Sequence, residues 1–152
     1  MDPRVKHEDD GKNRMMVLFY QLSSDKSADA LTWRCEKIQH YYDQGKRVLI
    51  YADDPRMAAK IDALLWSFHP SAFIPHSLEN EATDNTPVVI GTQSAPGNFD
   101  ITFNFSANIP ANTPAHNTIV DSVFQSESSK NHGRTRYGAY QKSGAQVKYE
   151  KL

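Results

Sequence analysis

The sequence is poor in cysteine: its 152 residues include only Cys35. A single cysteine cannot form an intramolecular disulfide, and it excludes every zinc site that needs several thiolate ligands. The chain also lacks a signal peptide and any apolar run near the roughly 20 residues that a membrane-spanning helix needs. These absences favour a cytoplasmic protein that does not cross a membrane. Cys35 falls on the apolar stripe of a predicted helix, so we expect a buried structural thiol.

Glycine-rich phosphate-binding loops are missing as well. The turns after the first two predicted strands read SSDKSAD and ADDPR, without the glycines that let a backbone approach a pyrophosphate. Neither a Gly-x-Ser-x-Gly elbow nor a His-Glu-x-x-His pair occurs, and Asp53 and Asp54 precede Pro55 in a helix-capping pattern. His69 and His76 flank an apolar run, but His69-Pro70 ends a predicted helix, Pro75-His76 closes a short strand signal, and the sequence gives little support for a metal pair there. We therefore predict no catalytic residues, no cofactor and no metal, with a nucleotide-binding α/β enzyme as the alternative that fold analogy supports.

Lys and Arg are absent between Ile61 and Ser129, where seven carboxylates occur. From Lys130 onward the balance reverses, with six Lys or Arg side chains against the single acid Glu150. The formal net charge is −1, so the sequence does not indicate a general affinity for nucleic acid. A local positive patch on a neutral protein favours an acidic partner.

The spacing of apolar residues predicts one α/β domain. Residues 1–14 mix acidic and basic side chains with a single large aliphatic residue, which is typical of a disordered or vector-derived leader. Residues 15–144 form the domain, and residues 145–152 are expected to be a ragged C-terminal tail. Strands are predicted at residues 16–22, 46–52, 73–74, 87–91, 99–105 and 118–124, and helices at 28–44, 55–68 and 126–142. This order predicts a Rossmann-like three-layer fold with a mostly parallel sheet, mixed at one edge where strands follow without helices.

The second predicted helix carries a tryptophan on its outer face. Its apolar positions share one side, and at about 100° per residue Trp66 stands roughly 180° from Met57. Two readings remain open for Trp66: packing under a later loop, or a surface that another molecule covers.

The last predicted helix carries the basic patch. Lys130, Arg134, Tyr137 and Gln141 share one helical face, with Tyr140 beside it and Arg136 further round. Two cations and a tyrosine could hold a carboxylate through charge-assisted hydrogen bonds. The alternatives are a solvated face whose tyrosines pack on the sheet, and direct binding of single-stranded DNA through cations and aromatic rings.

Four segments together resemble the chi subunit family of bacterial DNA polymerase III. They are GKRVLI at residues 45–50, DALLW at 62–66, FIPH at 73–76, and the pattern Arg136-Tyr137-x-x-Tyr140. Their order and spacing match the family over roughly residues 16–144. Each segment is short, so their order carries the resemblance.

The resemblance implies a non-enzymatic accessory subunit of the clamp-loader complex in DNA replication. In this family chi pairs with the psi subunit, which links it to the clamp loader, and binds the acidic, Phe-ending C-terminal tail of single-stranded DNA-binding protein (SSB). Contact with DNA would be indirect. The tail-binding residues carry over onto Lys130, Arg134, Tyr137 and Tyr140, and the psi-facing aromatic residues onto Trp66 and Phe73. Gly133 and Gly138 depart from a strong helix, each weakening it by about 1 kcal/mol relative to Ala.

Overall fold

The structure is a computed structural model that describes residues 15–92, 94–110 and 117–152; the predicted leader at residues 1–14 lies outside this part. The described elements are β1 (Met16–Gln21), α1 (Ser27–Asp43), β2 (Val48–Tyr51), α2 (Pro55–Ser67), β3 (His76–Leu78), a 3-10 turn (Glu79–Glu81), β4 (Val88–Gly91), β5 (Ile101–Asn104), β6 (Thr118–Val123), α3 (Glu127–Lys142) and β7 (Gln146–Lys151). None of these helices is long and apolar enough to span a membrane.

The strands form one seven-stranded sheet in the order β3-β4-β2-β5-β6-β1-β7. Every pairing between described strands is parallel, including those at both edges. The predicted Rossmann-like α/β class is confirmed, but the predicted mixed edge is wrong. The chain passes from β3 to β4 to β5 through irregular segments instead of α-helices, and these connections still return each strand in the parallel direction.

The sheet separates the core into two parts, one on each face. On one face, α1 and α2 cover the central strands through the apolar residues Cys35, Ile38, Ile61 and Leu65. On the other face, α3 covers β1 and β6 through Tyr140, which packs with Val17, Phe19, Ile119 and Val123. All four residues of β2 are buried because both faces are covered, which explains its unbroken VLIY sequence. The result is the predicted three-layer arrangement.

The predicted helix signals occur where the sequence placed them. The Asp54 carboxylate accepts a hydrogen bond from the Arg56 amide at 2.9 Å, with Pro55 in the first turn of α2. Gly45 follows α1 with φ at +78°, in the left-handed region that favours glycine. Cys35 is fully buried, as predicted.

Two predictions at the sheet edges are wrong. Residues 73–74 are not a strand: Phe73 is exposed, Ile74 is buried, and the edge strand β3 begins only after Pro75, which has no N–H for a ladder. The expected ragged tail is instead β7, which pairs in parallel with β1 along its whole length. Most β7 side chains are exposed, so the sequence contains little apolar alternation there.

Candidate functional site

A groove of about 300 Å³ runs between α3 and the edge of the sheet formed by β1 and β7. We call it the basic groove. Its lining residues are Phe19, Gln21, Val123, Lys130, Gly133, Arg134, Tyr137 and Tyr149. The groove thus joins the basic face of α3 to side chains from three strands.

Three aromatic rings form the apolar part of the basic groove. Phe19 stacks on Tyr149 at 5.9 Å between ring centroids and meets Tyr137 edge-on at 5.8 Å. Tyr137 and Tyr149 also contact each other edge-on at 6.1 Å. The Tyr149 hydroxyl donates a hydrogen bond to Gln21, which fixes the ring from the β7 side. Tyr137 and Tyr149 give an apolar ligand a preformed aromatic surface, and the buried Phe19 supports both rings from the core.

Two cations lie beside this aromatic surface. Lys130 and Arg134 are one turn apart on α3, and neither forms an ion pair with a carboxylate in the described residues. Arg134 donates to the Asn131 side chain, a neutral partner. Both charges therefore remain available to an anionic ligand.

Gly133 lies between the two cations in the sequence and packs against Val123 of β6. A Cβ at this position would stand 2.2 Å from Cγ1 of Val123, so the close helix-to-sheet packing requires glycine. Gly138, in contrast, faces open space. Only one of the two helix glycines thus has a packing reason.

The sequence predicted four residues at this site, and the structure brings three of them together. Lys130, Arg134 and Tyr137 line the groove. Tyr140 lies on the face of α3 that packs against the sheet, and it is fully buried. The Tyr140 hydroxyl donates to the Asp121 carboxylate at 2.7 Å. Burial, reinforced by Asp121, raises the pKa of the Tyr140 hydroxyl above its ordinary range. Tyr140 belongs to the core and is not among the residues that line the groove.

Arg136 shares this buried position. It donates to both oxygens of Asp121, at 3.0 and 3.1 Å, and is 8% exposed. The Asn104 amide also donates to Asp121, at 3.2 Å. The pattern Arg136-Tyr137-x-x-Tyr140 therefore combines two core anchors with one groove residue.

Sequence reasoning missed the contributions of Phe19, Gln21 and Tyr149. Phe19 lies in a predicted strand to which the sequence assigns no role at the site, and Tyr149 lies in the predicted tail. The one weak signal in the sequence is the spacing of Val147 and Tyr149, two residues apart and so on the same face of a strand.

A second surface lies at the opposite edge of the sheet. Trp66 on α2 is 58% exposed and Phe73 is 64% exposed, with 6.3 Å between their ring centroids. We call this pair the aromatic face. The predicted outward direction of Trp66 is confirmed, because its side chain is largely exposed whereas that of the preceding residue, Leu65, is 1% exposed. Two large aromatic side chains exposed side by side are typical of a surface that another protein covers.

His76 supports the aromatic face from beneath. Its ring lies 4.7 Å from that of Trp66, and its nitrogens contact the Asp62 carboxylate at 2.8 Å and the Ile74 carbonyl at 2.7 Å. These two contacts fix the orientation of the His76 ring next to Trp66. No cluster of three or more His, Cys, Asp or Glu side chains suited to a metal occurs in the described ranges.

Comparison with known proteins gives a consistent result. The family model of the DNA polymerase III chi subunit, HolC, matches residues 15–148. The DNA polymerase III subunit chi of Escherichia coli is 31% identical over 133 residues, covering 83% of this chain and 90% of the relative. The corresponding subunit of Pseudomonas aeruginosa is 27% identical over 137 residues, covering 90% of this chain and 96% of the relative. That of Haemophilus influenzae is 28% identical over 123 residues, or 78% and 85% of the two chains. This chain belongs to the DNA polymerase III chi subunit family.

Proposed function

We propose that this chain is a non-catalytic accessory subunit of the replicative clamp-loader complex, acting in the cytoplasm. It joins the psi subunit to the acidic C-terminal tail of SSB and meets DNA only through these partners. The observation that carries the proposal is the basic groove, where two cations without a carboxylate partner in the described part of the chain border three aromatic rings. That combination fits a peptide that ends in an aromatic residue and a carboxylate.

Different parts of the groove bind the carboxylate, the aromatic ring and the acidic residues of the tail. The terminal carboxylate pairs with Lys130 or Arg134 through charge-assisted hydrogen bonds. The last phenyl ring packs against Tyr137 and Tyr149, which contact each other and the buried Phe19 behind them. The acidic residues upstream are attracted to the basic end of the domain, which raises the association rate. Because the charges are exposed and few, binding is modest and weakens with salt.

Titration with an SSB tail peptide tests this assignment. The peptide with its terminal Phe should bind, and removal of that residue should greatly weaken binding because the carboxylate then lacks its aromatic neighbour. Arg134→Gln should weaken binding of the full peptide about tenfold or more, as loss of a hydrogen bond to a charged group. Lys142→Gln is the matched control, since it removes a cation from α3 outside the groove. Equal binding of both peptides, or an equal loss of affinity in both variants, would refute binding of the tail in the basic groove.

The aromatic face is the site proposed for psi. Trp66 and Phe73 together offer the exposed aromatic anchors that dominate many protein interfaces. Trp66→Ala should abolish co-purification with psi while the free chain keeps its unfolding midpoint. Leu65→Ala is the adjacent control, and burial predicts that it destabilises the fold by about 2–5 kcal/mol. Unfolding of the Trp66→Ala chain would instead assign Trp66 to the core.

The positions of the two surfaces suit a bridging role. The aromatic face adjoins β3 at one edge of the sheet, and the basic groove adjoins β7 at the other. Six steps of about 4.8 Å between neighbouring strands separate the edge strands by roughly 29 Å. Two partners can therefore bind at once without competing for the same side chains.

Direct binding of single-stranded DNA is the second candidate function. Cations beside aromatic rings are also the pattern that holds a stacked base and a phosphate, and the basic groove has both. An oligonucleotide that displaces the tail peptide from the groove would support this candidate. If the peptide stays bound in excess oligonucleotide, the result supports the SSB tail as the ligand of the basic groove.

A further inference from the structure

A separate cavity of about 380 Å³ lies at the carboxyl ends of β5 and β6. Its walls come from the end of each strand, from α1 and α2, and from the first turns of α3. The volume is within the range of about 300–1,000 Å³ that small-molecule sites occupy. Among the described residues that line it, the charged or titratable ones are Arg34, Arg136 and His132, and none is a carboxylate.

The two arginines differ in how their charges are balanced. Arg136 forms a bidentate pair with Asp121. The Asp121 carboxylate also accepts from Asn104, Tyr140 and the Ser122 amide, so its acceptor positions are filled. Asp121 consequently has no capacity left for a direct contact with Arg34.

Arg34 is left without a carboxylate partner in the described residues. Its Nε donates to the Ser122 hydroxyl at 2.9 Å, and its Nη2 reaches the Ser122 carbonyl at 3.4 Å. Arg136 donates to the same carbonyl at 3.3 Å, so the two guanidinium groups converge there. Burial lowers the pKa of Arg34, Asp121 raises it, and Arg136 lowers it again. The Arg34 guanidinium also lies over the Phe105 ring, 4.8 Å from its centroid, and an anion in the cavity would add the direct charge partner that Arg34 lacks among the described residues.

The first turn of α3 adds donors on the other side of the cavity. The Ser126 hydroxyl caps the Ser129 amide at 3.1 Å, whereas the Glu127 and Ser128 amides have no acceptor in the described residues. A carboxylate approaches the rim at Asp53, which accepts from the Ser106 hydroxyl at 3.1 Å. The part of the cavity most favourable to an anion therefore lies between Arg34 and the start of α3, away from Asp53.

The cavity also occupies a favourable place in the sheet. The chain leaves β2 toward β4 and β3 on one side, then returns to β5 on the other, so the strand order reverses between β2 and β5. In open parallel sheets, ligands bind outside the carboxyl ends of the strands next to such a reversal. Met57 of α2 and Phe105 after β5 supply an apolar wall beside the cations.

We propose that this cavity binds a phosphate group, held between the Arg34 guanidinium and the first turn of α3. The guanidinium fork matches the geometry of phosphate oxygens, and the free amides of α3 complete the site. The apolar wall leaves room for an organic group attached to the phosphate. The glycine-rich loops that the sequence lacks are replaced here by an arginine from α1.

Amide and arginine Nε resonances of the full chain provide a direct test. Inorganic phosphate, adenosine monophosphate and adenosine are titrated separately at constant ionic strength, and the Arg34 Nε–H and Ser128 amide signals are followed. Phosphate should shift both signals saturably. Arg34→Gln should weaken that binding about tenfold or more. Ser128→Asp should also weaken phosphate binding, because the new carboxylate repels the anion. The fold should be preserved, because a carboxylate is favourable in the first turn of a helix.

The basic groove supplies the control. Lys130→Gln removes a groove cation outside the cavity and should leave the phosphate-induced shifts unchanged. Tighter binding of adenosine monophosphate than of phosphate assigns a nucleotide to the site, and equal binding assigns a simple phosphate anion. Absence of a phosphate-specific shift, or its persistence in both Arg34→Gln and Ser128→Asp, overturns the proposal.

Discussion

Substitution of the two glycines of α3 by alanine separates helix propensity from helix packing. In an exposed helix interior, Gly to Ala raises the free energy of unfolding by about 1 kcal/mol. Gly138 faces open space, so Gly138→Ala should gain this full amount. At Gly133 the new Cβ would stand 2.2 Å from Cγ1 of the buried Val123.

The close contact determines the sign at Gly133. Normal carbon contacts lie near 3.5–4.0 Å, so α3 or Val123 must move by more than 1 Å. Overpacking of this kind costs about 1–3 kcal/mol. Gly133→Ala should therefore be about 1–3 kcal/mol less stable than Gly138→Ala, although both changes improve helix propensity alike.

Urea denaturation followed by circular dichroism measures this difference. Val123→Ala removes the clashing methyl group, so the double variant with Gly133→Ala should show a favourable coupling energy in a double-mutant cycle. The SSB tail titration adds a functional readout, because Gly133 lines the basic groove. Equal stabilisation by the two glycine substitutions would refute the packing argument, and so would zero coupling between Gly133 and Val123.

Three further predictions concern buried titratable groups. Asp121→Asn removes the counter-charge of buried Arg136 and should lower the free energy of unfolding by about 3–5 kcal/mol in urea denaturation; a loss under 1 kcal/mol would contradict the network. Because burial and Asp121 raise the pKa of Tyr140, the native state keeps a proton that the unfolded chain releases above about pH 10. Stability should fall as the pH rises beyond that value, and Tyr140→Phe should reduce the slope by up to about 1.4 kcal/mol per pH unit; an unchanged slope would disprove the assignment. Burial raises the pKa of Cys35 to about 12, so alkylation by iodoacetamide at pH 8 should be slow and should accelerate with urea; rapid labelling of the native chain would show an accessible thiol.

The sequence predicted the central part of the fold because that part has strong apolar patterns. The strand β2 reads as an unbroken apolar run, and α2 combines the Asp54 cap, Pro55 and a clear apolar face. The edge strands gave no comparable signal. The three residues of β3 are only partly buried, and five of the six residues of β7 are exposed. Edge strands depend on backbone pairing with a neighbour, which side-chain patterns do not record.

The candidate groove was predicted in part for a related reason. Helical spacing placed Lys130, Arg134 and Tyr137 on one face of α3, and all three line the groove. The same arithmetic could not identify the buried face of the helix. That face consists of Gly133, Arg136 and Tyr140, and none of these is a typical aliphatic core residue. Its partner is the carboxylate of Asp121 inside the sheet, which only the three-dimensional arrangement places beneath α3.

The buried network also explains how a polar helix can hold a well-defined binding surface. Arg136 and Tyr140 are one turn apart and both bind Asp121, so they fix the rotation of α3 about its axis. Gly133 fixes its distance from β6. With rotation and distance set, Lys130 and Tyr137 point to the edge of the sheet, where Phe19 and Tyr149 complete the groove. Substitutions in the network should therefore weaken tail binding through misplacement of α3, whereas substitutions at Lys130 or Arg134 should weaken it with no loss of stability.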